Sequence, residues 1–151
     1  MQQDHRPVVP EFGPAEFLFR RYRTEHFQNG QFVPAAFRFT GTSGQSFIRS
    51  LFSQAEHALH RDCCDGQVLD GWGVWECAVG DLPTPVLSKD GRAFDFFPKH
   101  APKRTCYAHS ELSCQCHGST GEGYEKPPPN VRETLKILLS RLISIRIKAT
   151  L

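Results

Sequence analysis

Hydrophobic and polar positions alternate over much of this chain with the two-residue period of half-buried strands. In EFLFRRYR, Phe17, Phe19, Arg21 and Arg23 fall on one side and Leu18, Arg20 and Tyr22 on the other, so residues 16–23 are expected to form the first strand. AAFRFTG sets Phe37 and Phe39 against Ala36, Arg38 and Thr40 and reads as a second. After the turn-rich GTSGQ link, SFIRSLF is a third short strand. GWGVWECAVGDLP is apolar on both parities, Trp72, Val74 and Ala78 against Trp75, Cys77 and Val79. That is the pattern of a central strand covered on both sides, with Glu76 as its polar exception. The Lys-Asp-Gly-Arg turn of SKDGRAFDFF leads into a strand in which Phe94 and Phe96 share a face. CYAHSELS, residues 106–113, alternates once more.

Helical spacing occurs twice. Ser53 and Glu56 form the S-x-x-E pattern of a capping box ahead of QAEHALHR, which predicts a short central helix closed by DCCDG, residues 62–66. Asn130 and Glu133 repeat that spacing, and Val131, Leu135, Leu138, Leu139 and Leu142 mark one face of a C-terminal helix. The period then returns to two: Ile143, Ile145 and Ile147 alternate with Ser144, Arg146 and Lys148, as in a closing strand. GSTGEGYEKPPPN is a Gly- and Pro-rich connection. Pro7, Pro10 and Pro14 make residues 1–14 an extended arm. The expected architecture for residues 15–151 is a single compact α+β domain: a curved, mainly antiparallel sheet with a short central helix and a C-terminal helix.

The composition fits that picture. In 151 residues, 39% are hydrophobic and 23% charged, and twelve Phe with two Trp supply a core. A net charge of +2 does not support nucleic acid as the partner of the whole domain. The amino-terminal stretch has no apolar run of the signal-peptide or membrane kind. A cytoplasmic address without a membrane partner is therefore expected, and with it six cysteines that are free thiols or metal ligands.

Chemistry concentrates in RTCYAHSELSCQCHG. Cys106, His109, Cys114 and Cys116, with His117 adjacent, carry zinc-ligand atoms, as do His57 and His60 followed by Cys63 and Cys64. The C-x-C pair departs from the usual ligand spacing, and E-H-x-x-H is not the H-E-x-x-H motif. No metal is assigned. Thiol catalysis by Cys63, Cys64 or Cys106 with His100 or His109 is disfavoured for the first two, which follow an expected helix end whose dipole opposes a thiolate.

Read as a strand, the same stretch sends Cys106, Ala108, Ser110 and Leu112 to the core and lines up Tyr107, His109 and Glu111 on the other face. A zinc site needs Cys106 and His109 together, so the two readings exclude each other unless the chain bends at Ala108. FRFTGTSGQSFIRSLFSQAEHAL offers Arg38, Ser46, Arg49, Ser50 and Glu56 around a Gly-rich turn. Arginine forks and open backbone amides suit a nucleotide or another phosphate-bearing ligand. Gly41 and Gly44 match no dinucleotide or P-loop pattern, and no cofactor is implied. In a transferase or hydrolase built on these residues, His109 is the general base or an orienting donor, Arg38 or Arg49 holds phosphate, and Glu56 or Glu111 stabilises developing positive charge. The alternative is a non-catalytic interaction domain whose aromatic surface and final ISIRIKATL segment dock on a partner protein, with or without a structural zinc.

An arginine on an early strand, a serine on a following strand and a glutamate at a helix start resemble, in outline, the ADP-ribosyltransferases, in particular their compact RES-type toxin branch. The resemblance covers about residues 17–59 and concerns the order of roles. The family's Gly-Arg-Trp-Asn segment is absent, with FRFTG in its place.

Overall fold

The computed structural model describes residues 11–33, 37, 45–61, 66–118 and 124–150. The strand expected at AAFRFTG, apart from Phe37, lies outside these residues. So do Arg38, the GTSG turn, Cys63, Cys64 and most of the amino-terminal arm.

Nine strands appear among the described residues: β1 Phe17–Tyr22, β2 Phe27–Gln28, β3 Gln31–Phe32, β4 Gln45–Arg49, β5 Gly73–Ala78, β6 Val86–Leu87, β7 Ala93–His100, β8 His109–Cys116 and β9 Ser144–Ile147. Seven of them form one curled antiparallel sheet in the order β6-β7-β8-β4-β1-β5-β9. β2 and β3 form a separate hairpin. Its turn, Asn29 and Gly30, has φ of 53° and 77°, the left-handed pair that a two-residue hairpin requires.

Register assigns the faces, since cross-strand partners project to the same side. One face carries Leu18, Phe47, Trp75, Leu112 and Cys114, and α1, Pro129–Leu142, covers it with Val131, Leu135 and Leu139. The opposite face gathers Phe19, Ile48 and Val74 under Ala55 and Ala58. β5 lies one strand in from the β9 edge and is covered on both sides, Val74 and Trp75 being buried. Its Gly73 leaves no room for a side chain, because an added Cβ would sit 2.5 Å from the Ile147 carbonyl oxygen. β9 closes the sheet where the isoleucine alternation favours a strand, but Ile145 and Ile147 do not share a face, because they pair with Trp75 and Val74 on opposite sides of β5. A bulge leaves Arg146 unmatched between the Val74–Ile147 and Trp75–Ile145 pairs, and bulges and charges of this kind protect an edge from strand addition.

Two helix expectations change. The short central helix is a 3₁₀ turn, Ala55–Leu59. Ser53 does not cap it, because its hydroxyl donates to the Arg49 carbonyl oxygen at 2.8 Å, and the Gln54 amide donates to His57 Nδ1 at 2.9 Å. Only Ala55 and Ala58 are buried, at the i, i+3 spacing of a three-residue turn. α1 begins behind Pro128, without a side-chain cap. Proline suits a first turn whose N–H has no partner in any case, and Glu133 pairs with Lys136 at 3.2 Å instead of with the helix end. No helix among the described residues is long and apolar enough to cross a membrane.

Candidate functional site

β8 starts three residues later than the sequence pattern suggests. Lys103 and Cys106 exchange both backbone hydrogen bonds, and the His109 amide donates to the Cys106 carbonyl oxygen, so a tight turn precedes the strand. Tyr107 therefore lies on the turn and not on the row of His109 and Glu111. Cys106 is disulfide-bonded, which removes it as a zinc ligand or nucleophile and corrects the expectation that no cysteine would be oxidised. Cys77, Cys114 and Cys116 are free. Burial pushes the Cys77 and Cys114 thiols up to about 12, with Asp81 and Glu125 adding to the respective shifts. Neither forms a reactive thiolate at neutral pH. No group of three metal-ligating side chains exists among the described residues.

The chemistry gathers at the end of the sheet where β4 and β7 finish and β8 begins. Arg49 is fully buried there. Its Nε and Nη2 donate to the two carboxylate oxygens of Glu16, each at 2.8 Å, in a bidentate ion pair. Its guanidinium carbon lies 3.8 Å from the Phe12 ring centroid and 5.0 Å from that of Phe52, close enough for cation–π attraction on both rings. The third nitrogen, Nη1, is buried without a hydrogen-bond partner.

His100 shares this face. It pairs with Ser110, Ser110 pairs with Phe47, and Phe47 is two residues before Arg49. Both His100 ring nitrogens are buried without partners, and its ring meets those of Phe52 and Tyr107, with centroids 5.6 and 4.9 Å away. Burial first and the Arg49 charge second hold its pKa below the ordinary histidine value, against an opposing pull from Glu16. His100 is therefore neutral at pH 7, with one N–H and one lone pair to offer.

His109 lies at the same end but pairs with Ile48, which places it on the opposite face from Arg49. Its Nδ1–H donates to the Ala101 carbonyl oxygen at 2.7 Å. That fixes the neutral tautomer with the lone pair on Nε2, which is buried and unpartnered. Burial lowers its pKa, with a smaller contribution from Lys103, while the bond to Ala101 and the Glu111 charge oppose the shift. Of the five buried, unpartnered side-chain atoms among the described residues, four belong to Arg49, His100 and His109.

The other residues singled out by pattern have different surroundings. Ser50 Oγ accepts from the Phe17 amide at 2.9 Å and ties β1 to the end of β4. Ser46 is exposed and pairs with Glu111, on the Ile48 side of the sheet. Glu56 is exposed on the outer side of the 3₁₀ turn. Sequence pattern did not single out Glu16, Phe12 or Phe52, and gave His100 only a minor place. The one available signal was chemical: an arginine at a mainly apolar strand end needs a carboxylate. A separate groove of about 440 Å³ between the β2–β3 hairpin and the end of α1, lined by Phe27, Phe32, Arg141 and Ile145 among others, includes none of these residues.

The two lowered histidines set a pH dependence. Each has a folded-state pKa below its unfolded value of 6.5, so below pH 6.5 the unfolded chain binds more protons and stability falls as pH drops towards the folded values. Above pH 6.5 the contribution is constant. Urea midpoints are expected to decline from pH 7 to pH 5.5, and His100→Gln is expected to flatten that slope. An unchanged slope would assign the decline to other groups.

The chain matches no protein-family model, no curated protein and no solved structure.

Proposed function

We propose that the protein binds a phosphate-bearing small molecule at the Arg49–His100 end of the sheet and acts on it as a transferase or hydrolase, with His100 as the acid–base group. One observation carries the reading: a fully buried guanidinium, clamped on two nitrogens by Glu16, keeps its third nitrogen unpartnered on the same face as a histidine whose two ring nitrogens are also unpartnered. A buried polar group left without a partner costs about 1–3 kcal/mol. Folded proteins keep few of them, and a cluster with shifted titration is where a ligand's own polar atoms complete the set.

The donor inventory suits phosphate. Arg49 Nη1 and the His100 N–H supply two N–H donors for phosphate oxygens. The remaining His100 nitrogen accepts a proton from an attacking hydroxyl or water and can return it to the leaving oxygen. Glu16 fixes the guanidinium plane, so the guanidinium itself does not reorient on binding, while the side chains that cover Nη1 and the His100 nitrogens move aside to admit the ligand. Exposed Lys103 and Arg104, on the turn that leads to Tyr107, add positive potential on the approach. His109 is a positioning residue: its bond to Ala101 anchors the backbone directly after His100. The ADP-ribosyltransferase-like order of roles is not needed for this reading, since it uses neither Arg38 nor Glu56.

The test is a melting-temperature panel of inorganic phosphate, sulfate and simple phosphate monoesters at millimolar concentration. A ligand at 100 times its Kd stabilises the fold by about 2.7 kcal/mol, so at least one phosphate compound is expected to raise the melting temperature by several degrees. His100→Ala is expected to reduce that rise. A flat response to every phosphate compound removes the reading.

A further inference from the structure

Two large aromatic side chains stand exposed beside this site, Phe52 at 38% and Tyr107 at 47% of their full surface. They come from separate segments, the bend after β4 and the turn before β8, yet their ring centroids are 4.9 Å apart at an interplanar angle of 72°. Each also meets the His100 ring, at angles of 54° and 66°. In an edge-to-face contact the edge of one ring meets the face of another, so the trio uses part of these faces, and what is left for a ligand is the exposed part of each ring. Phe52 turns one side towards the Arg49 guanidinium.

An isolated exposed aromatic is ordinary on a protein surface. A pair held edge to face beside buried N–H donors is different, because stacking platforms next to phosphate-binding groups are how proteins take unpaired bases, whose π-faces add to the electrostatic hold on the phosphate. The geometry points to a base subsite at Phe52 and Tyr107: the ligand is a nucleotide, its planar base lying on one of these rings and its phosphate reaching Arg49 Nη1 and His100. This rests on the phosphate reading above and narrows it from phosphate esters in general to those carrying an aromatic base.

Calorimetric titration of the full chain with inorganic phosphate, ribose 5-phosphate, and adenosine and uridine 5′-monophosphates separates the two ideas. Base–aromatic stacking predicts that at least one nucleotide binds about tenfold or more tighter than ribose 5-phosphate. The Phe52→Leu, Tyr107→Leu double variant, with its fold checked by circular dichroism and melting, is expected to cut that advantage to about twofold. Equal binding of nucleotides and ribose 5-phosphate by the unmodified protein overturns the base subsite and leaves the phosphate reading standing. A nucleotide preference that survives the double substitution also overturns it. Binding by none of the compounds removes both.

Discussion

Glu16→Ala is expected to destabilise the protein by about 3–5 kcal/mol, the range for removing one partner of a buried ion pair. The Arg49 side chain has no exposed surface and that of Glu16 only 9%, and two bonds of 2.8 Å join them. Without the carboxylate, three guanidinium nitrogens are buried with no acceptor, since Nη1 has none even now. Phe12 and Phe52 offset little of this, because cation–π contacts are worth about 0.5–2 kcal/mol. For a chain of this length such a loss lowers the melting temperature by roughly 10 °C or more. Adding Arg49→Met to Glu16→Ala is expected to recover most of it, since replacing both members of a buried pair by apolar groups is often neutral or stabilising. Thermal and urea unfolding of the two single variants and the double variant measure the coupling. A loss below about 1 kcal/mol for Glu16→Ala would mean that the pair is solvated, as surface pairs are.

His100→Ala is expected to lower turnover of the best-bound phosphate compound by about 10²–10⁴-fold, the usual contribution of a positioned acid–base group. The same substitution is expected to leave the melting temperature unchanged or raised. In the free protein the His100 nitrogens are buried without partners, so deleting them relieves a desolvation cost as well as removing ring contacts with Phe52 and Tyr107. Phosphorus NMR of the reaction, melting curves, and partial rescue by added imidazole together separate chemistry from packing. Retained turnover removes His100 from the mechanism. Loss of turnover in proportion to a fallen melting temperature assigns it a structural role.

His109 illustrates how much of the site the pattern could reveal. The alternation of CYAHSELS correctly places His109 and Glu111 on one face, because parity within a strand is local geometry. It cannot show that the strand begins at His109, since the Lys103–Cys106 turn contains neither glycine nor proline. Tyr107 consequently leaves the His109 row and joins Phe52 and His100. The Ser53–Glu56 and Asn130–Glu133 spacings failed for a different reason. A capping box is one of several partners open to these side chains, and in each case a nearer one won: the Arg49 carbonyl for Ser53 and Lys136 for Glu133.

Taken alone, the amino-acid sequence determined the strand segments around residues 17, 47, 75 and 95, the shared buried face of Phe94 and Phe96, the two-sided burial around residue 75, and a C-terminal amphipathic helix, while it favoured a strand around residue 145 without fixing it. These follow from side-chain periodicity and short-range sterics, which act within a few residues. Tertiary structure alone decided that Arg49 meets Glu16 across 33 residues of chain, that His100 joins the Arg49 face through Ser110 and Phe47, and that His109 lies on the other side of the same ladder. Those juxtapositions depend on strand order and register, and register is set by long-range burial: a slip of one residue would exchange the two faces and expose the core.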